Sequence, residues 1–239
     1  MGVMTMNNNN PSSMPKSVSI VLRVLEVAAL FIMVQLPPSV LAFANKTSFK
    51  NASGYLLLAA FWGSFLVCIW IAYRRFRYWS GERLFHDFRL RDIGVAILAY
   101  LAIIVSEVLL MQLQRVLYHT QSTENNQAIA SIMKTSPVAF IGFTVSAVVL
   151  TPFLEELVFR GVVTNIFFKP TNLWAKVVLS GVLFSSGHIS SNPISFLLYF
   201  MMGAILAFTY QTTHKQFNSI MVHFMINAVA ITQLIGLIH

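Results

Sequence analysis

Glu155 and Glu156 stand side by side in an apolar run, and Arg160 follows Glu156 by four residues. On a helix Glu156 and Arg160 share one face, with the acid first, the favourable order for an ion pair. Glu155 is turned about 100° away and cannot share that pairing fully. One carboxylate is thus neutralised by arginine, and the other is left for chemistry. Two adjacent carboxylates in a low dielectric push their proton affinities apart, and the free one suits the role of general base.

His188 closes the run Phe184-Ser185-Ser186-Gly187-His188, and His223 precedes Asn227 by four residues. A neutral imidazole can orient water or bind metal. A histidine and an amide on one helix face can donate hydrogen bonds to an oxyanion. A base, two histidines and an amide on three helices are the parts of a hydrolytic site. Other hydrolytic schemes fail for want of parts. No His-Glu-x-x-His zinc pair is present. The aspartates, Asp87 and Asp92, both lie in a basic stretch, so a membrane aspartyl dyad is excluded. Ser185 or Ser186 with His223 would need a nucleophile elbow that is missing. No phosphate-binding glycine loop implies a nucleotide cofactor.

The elements that must carry these groups are membrane helices. The 239 residues are 56% apolar and 10% charged, against about 25% charged in soluble domains. That excludes a soluble enzyme, a disordered chain and a disulfide-stapled module, and the single cysteine, Cys68, can form no intrachain bridge. Continuous apolar runs over 19–36, 54–73, 93–113, 137–168, 174–190, 194–211 and 218–238 predict an all-α polytopic membrane protein with about seven transmembrane helices. Pro152 is placed to break or kink the long 137–168 run. Residues 1–18, with their asparagine run, form a polar tail; 19–239 make one multi-pass domain.

The net charge is +8, but six arginines cluster between Arg74 and Arg91. Charge placed so reads as topology and not as a nucleic-acid surface. It puts the 74–92 loop and the N-terminus in the cytoplasm. Ala42-Phe43-Ala44 has the look of a signal-peptide cleavage site, but the polar lead and Glu26 argue against one. Asn45-Lys46-Thr47 and Asn51-Ala52-Ser53 are formal glycosylation sequons. Glu26 and Glu107 stand alone in apolar runs and are expected to bond to a neighbouring helix. His86, His119, His214 and His239 receive no role.

Glu155-Glu156-x-x-x-Arg160, Phe184-x-x-x-His188 and His223-x-x-x-Asn227, in that order over about 137–238, resemble the three signature motifs of the CPBP family. These are the CAAX prenyl protease and Abi bacteriocin-immunity type intramembrane proteases. The resemblance implies an intramembrane polar active-site cavity open toward the cytoplasm. It also implies peptide-bond hydrolysis in a membrane-associated peptide or protein, in bacteriocin immunity or peptide maturation. It casts Glu155 as the activator of water, His188 as its orienting partner, His223 and Asn227 as oxyanion holders, and Glu156 with Arg160 as the buttress. The family is named for metalloproteases, and Glu155, His188 and His223 could supply three ligands to a divalent zinc; a metal-free, glutamate-dependent scheme stays open beside it. The setting implied is a bacterial plasma membrane.

Two rival readings use the same residues. One is a catalytically silent scaffold that binds a sensor kinase or another membrane partner. The other is a proton-coupled transporter relaying through Glu155, Glu156 and His188, although no repeat halves are visible. A further constraint concerns depth. His188 falls late in a helix running outward and His223 early in the last one. They meet only if a helix is short, tilted or re-entrant, with Pro170 and Pro193 as places for that.

Overall fold

A computed structural model describes residues 18–44, 52–84 and 89–238. Nearly all of the polar tail, the Asn45 sequon, His86, Asp87 and His239 lie outside them. The described residues form helices and no strand: α1 (Ile20–Ala44), α2 (Ala52–Ser80), α3 (Leu90–Tyr118), α4 (Glu124–Met133), α5 (Pro137–Ile166), α6 (Leu173–Ser186), α7 (Pro193–Thr213) and α8 (Gln216–Ile238). Six of them, all but α4 and α6, are long and apolar enough to cross a membrane. The protein is an all-α, multi-pass membrane protein.

Among the described residues, the about seven spans expected are six long apolar helices and one shorter apolar helix, α6. α6 has 14 residues, about 21 Å at 1.5 Å per residue, too short for a roughly 30 Å hydrocarbon core. It stops because Gly187 takes the C-cap and the chain turns into Asn192-Pro193. There the Asn192 Oδ1 accepts from the backbone N–H groups of Ile194 (3.0 Å) and Ser195 (2.9 Å) to start α7. His188 therefore sits just past a short helix, which removes the conflict of depth with His223. The stretch expected as an arginine loop is in part helical, since α2 runs through Arg74, Arg75 and Arg77 to Ser80. A short helix, α4, also occupies the connection between α3 and α5 that composition alone left as loop.

Pro152 neither ends nor breaks α5. A π turn, Ser146–Leu150, precedes it, and the Thr151 N–H reaches back to the Ser146 carbonyl. A second π turn, Leu157–Val162, follows Glu156 directly. Such turns insert a residue and leave backbone carbonyls without helical partners.

Polar ties identify the two ends of the bundle. At one end the Lys215 ammonium, between α7 and α8, lies 2.5 Å from the Asp92 carboxylate at the start of α3. The Tyr210 hydroxyl of α7 donates to Glu82 beyond α2 (2.8 Å). At the other end Gln114 of α3 accepts from the Ser195 hydroxyl of α7 (3.1 Å). Glu124 of α4 accepts from the Ser191 and Ser195 hydroxyls, the latter at 3.1 Å. α1 joins the core through Glu26, which accepts from Arg75 twice (2.6 Å each) and from the Trp79 indole (2.8 Å), as expected of an interhelical tie. Only 11% of the apolar window of α3 is buried against protein, but 50% of that of α7. So α7 is the central helix and α3 faces lipid.

The hydroxyl of Ser191 holds the Glu124 carboxyl below its ordinary value of 4.5. A lowered carboxyl stabilises the fold above its unfolded value, and that contribution disappears as pH falls through the folded one. Acidification below 4.5 is expected to release the tie between α4 and residues 191–195. Hydrogen exchange at Ile194–Phe196 checks it: protection should fall with pH in the wild type and be already low, with a flatter profile, in Glu124→Gln.

Candidate active site

Three helices bring the motif residues together, and the imidazole of His223 is their meeting point. Its Nδ1 lies 2.9 Å from Glu156 Oε1. Its Nε2 lies 3.7 Å from Glu155 Oε2, beyond a direct hydrogen bond. Glu156 is also paired within α5, where Arg160 Nη1 stands 3.0 Å from the same Oε1. Glu156 and Arg160 are 0% exposed, His223 1% and Glu155 7%. A carboxylate at Nδ1 fixes the proton there and leaves the Nε2 lone pair toward Glu155. The pairing of Glu156 with Arg160 is as the spacing predicts. Among the described residues Glu155 has no hydrogen-bonded partner, and it faces His223.

Arg160 is held on three sides. Its Nη2 donates to the Gly203 carbonyl of α7 (3.2 Å), and its guanidinium lies 4.4 Å from the centroid of the Phe184 ring. The Phe184 ring is 5.5 Å from that of His223 and 4.6 Å from that of His188. So Phe184 of α6, fully buried, is the apolar hub around which the charged groups are arranged. Its position in the second motif was visible in sequence; its contact with both histidines was not. α7 can approach so closely because Gly203 lacks a side chain. A Cβ there would stand 2.9 Å from that of Phe184 and 3.0 Å from the Gly181 Cα. Small residues facing each other are the usual device for close helix contact in lipid.

His188 directs Nδ1 to the Phe184 carbonyl (2.8 Å), so that nitrogen carries the proton and Nε2 is the acceptor. Its ring lies flat on Tyr199, 4.3 Å between centroids and 18° between planes. Tyr199 is in turn fixed by a hydrogen bond to Thr123 (2.8 Å). No motif pointed to Tyr199. Among the described residues no group of three His, Cys, Asp or Glu side chains is placed to hold a metal ion. Glu155 and His223 face one another, but His188 does not close a three-ligand shell with them. As arranged, the three do not fit a zinc cage.

Asn227 is occupied differently from the oxyanion role expected of it. Its Nδ2 donates to the Ala147 carbonyl at 2.8 Å. That carbonyl lies in the first π turn, where its partner five residues on would be Pro152, which has no N–H. The Thr151 N–H is already taken by Ser146. The amide of α8 thus satisfies a carbonyl that the proline orphans, and keeps one N–H in hand. Carbonyls of the second π turn are met similarly. Phe159 accepts from Ser180 (3.1 Å), Gly161 from Asn165 (2.8 Å), and Arg160 from Thr164. Ser185 donates to the Phe196 carbonyl (2.6 Å) and Ser186 to that of Val182 (2.8 Å), so neither is aimed at His223 as a nucleophile.

Comparison with known proteins finds two matches. Residues 137–229 match the family described as "Type II CAAX prenyl endopeptidase Rce1-like". A Bacillus subtilis (strain 168) protein named "Putative membrane peptidase YdiL" is 34% identical over 115 residues, 48% of this chain and 45% of that protein. The match thus spans less than half the length of that relative. No solved structure matches the chain. The segment 137–229, which holds all six motif residues, is thus similar to the Rce1-like CAAX endopeptidases, in keeping with the family that the three motifs resemble.

Two substitutions test the packing. Asn227→Leu should leave the Ala147 carbonyl unpaired in an apolar setting, at a cost of about 1–3 kcal/mol. Gly203→Ala should force α7 off Phe184, at about 1–3 kcal/mol for overpacking. Unfolding of the purified protein in detergent reads both, and Ala in place of the lipid-exposed Leu98 should change nothing by comparison.

Proposed function

We propose that this chain is an intramembrane endopeptidase that hydrolyses a peptide bond in a membrane-associated peptide or protein. The observation that carries it is one imidazole between two buried carboxylates, one locked by arginine and one open. In this reading a water lodged against Glu155 Oε2 and His223 Nε2 attacks the scissile carbonyl. Glu155 takes the proton of that water and passes it to the departing amide nitrogen, so the C–N bond breaks and a carboxyl and an amine are left. Glu156, neutralised by Arg160, holds His223 in the right tautomer and steadies any charge that it acquires, as an orienting carboxylate does. His188 is a positioning residue, bonded to the Phe184 carbonyl and stacked on Tyr199, and the unused N–H of Asn227 is the donor for the developing oxyanion. The route is glutamate-dependent, with the proton moved by side chains of this chain alone.

The family match and the Bacillus relative support the protease class. By the positive-inside tendency the arginines about α2 and α3 support a cytoplasmic N-terminus, and the setting we propose is a bacterial plasma membrane. The role we propose is peptide maturation or bacteriocin immunity at that membrane.

Glu155→Gln should lower cleavage by about 10²–10⁴-fold, the usual worth of a positioned base. Comparative membrane peptidomics of cells with intact and Glu155→Gln protein at matched abundance reads this and names the substrate. Termini that depend on Glu155 support the reading; identical profiles defeat it and favour a scaffold. Incubation of the active protein with 1,10-phenanthroline should leave cleavage unchanged, and a loss restored by zinc would replace the glutamate-dependent route by a metal-dependent one.

A further inference from the structure

Glu107 was expected to tie α3 to a neighbour, and it does not. Among the described residues its carboxylate has no hydrogen bond or ion pair. It stands 11 residues before Tyr118 in α3, roughly 16 Å from that end at 1.5 Å per residue, well within an apolar membrane helix. A carboxyl at such depth is costly and needs a reason. It lines a cavity of about 340 Å³ bounded by α3, α4, α7 and α8. The same cavity is walled by the amides Gln112, Gln121, Asn126 and Gln233, an unusual density of side chains that both donate and accept.

This cavity borders the catalytic set. Tyr199 is one of its walls, and His188 is stacked on Tyr199 at 4.3 Å. Met202 and Ile226 line it as well. They immediately precede Gly203, which accepts from Arg160, and Asn227, which holds Ala147. A substrate cut in a membrane must be unwound near the cut, and its freed N–H and C=O groups then need partners that lipid lacks. The amides supply such partners. The unpaired carboxylate calls for a cation, and the apolar lining suits the long stem of a lysine or arginine side chain.

We propose that the cavity between α3, α4, α7 and α8 is a substrate subsite in which Glu107 receives a lysine or arginine side chain of the peptide to be cut. This rests on the protease reading for its purpose, but it can be tested by binding alone. The probes are matched apolar membrane peptides, each with a benzophenone beside one mid-span residue, either lysine or norleucine. They are reconstituted in nanodiscs with the full-length protein carrying Glu155→Gln, so that labelling is read without cutting, and labelled sites are mapped by mass spectrometry. The lysine probe should label α3, α7 or α8 around the cavity about tenfold more than the norleucine probe, the scale of one partnered charge in lipid. Adding Glu107→Gln should bring the two probes level, and Glu107→Lys should favour a matched glutamate probe instead. Equal labelling by both probes, labelling elsewhere, or none above background overturns the subsite. Cleavage of the same peptides by the protein with Glu155 intact is scored separately. Charge-selective labelling without any Glu155-dependent cutting would keep the subsite and defeat the protease, and cutting indifferent to the lysine would do the reverse.

Discussion

The Glu156 carboxylate is shared by an arginine one turn along its own helix and a histidine on another, and both lie out of reach of solvent. Charges moved from water into a low dielectric cost several kcal/mol each, and ion pairs and hydrogen bonds offset that cost. Here the partners come from different helices, while Glu156 Oε2 and Arg160 Nε stay buried without a hydrogen bond among the described residues. The guanidinium needs the Gly203 carbonyl of α7 and the Phe184 face of α6; the carboxylate needs His223 of α8. Withdrawing any one helix would strand a charge in an apolar interior. This requirement holds α5, α6, α7 and α8 in register more strictly than apolar contact could, since lipid offers apolar contact everywhere.

The same helix, α5, that carries the charges is the least regular. Two π turns flank Thr151–Glu156, and a proline lies inside it. Irregular backbone at membrane depth is tolerable where other groups satisfy it. Asn227, Ser180, Asn165 and Thr164 do so, each by donating to a carbonyl near a π turn. The irregularity therefore helps assembly. Each freed carbonyl is a fixed point to which another element, or the next turn, can be pinned, and two of these pins come from α6 and α8, beside the histidine-bearing motifs.

Much was legible in the sequence. Composition and apolar runs sufficed for an all-α membrane protein, because a chain with so few charges has no other way to cover itself. The Glu156–Arg160 pair followed from four-residue spacing, because a helix turn puts those positions on one face. The interhelical role of Glu26 followed from the cost of leaving a carboxyl alone in lipid. Less visible was the length of α6, since hydropathy runs on through Gly187 to Ile189 while the helix stops at Ser186. The helical α4 was hidden as well, being too polar to stand out.

What the sequence by itself determined is which groups must be buried and which pairs lie one turn apart, for both are consequences of composition and local periodicity. Only the tertiary structure decided which helices meet. It set His223 between the two glutamates, joined both histidines through Phe184, turned Asn227 to the carbonyl orphaned by Pro152, and left Glu107 in a cavity without a partner among the described residues. Those outcomes depend on crossing angles, on a short α6 and on two glycines that let α6 and α7 touch. Periodicity along one chain has no access to distances between segments far apart in it.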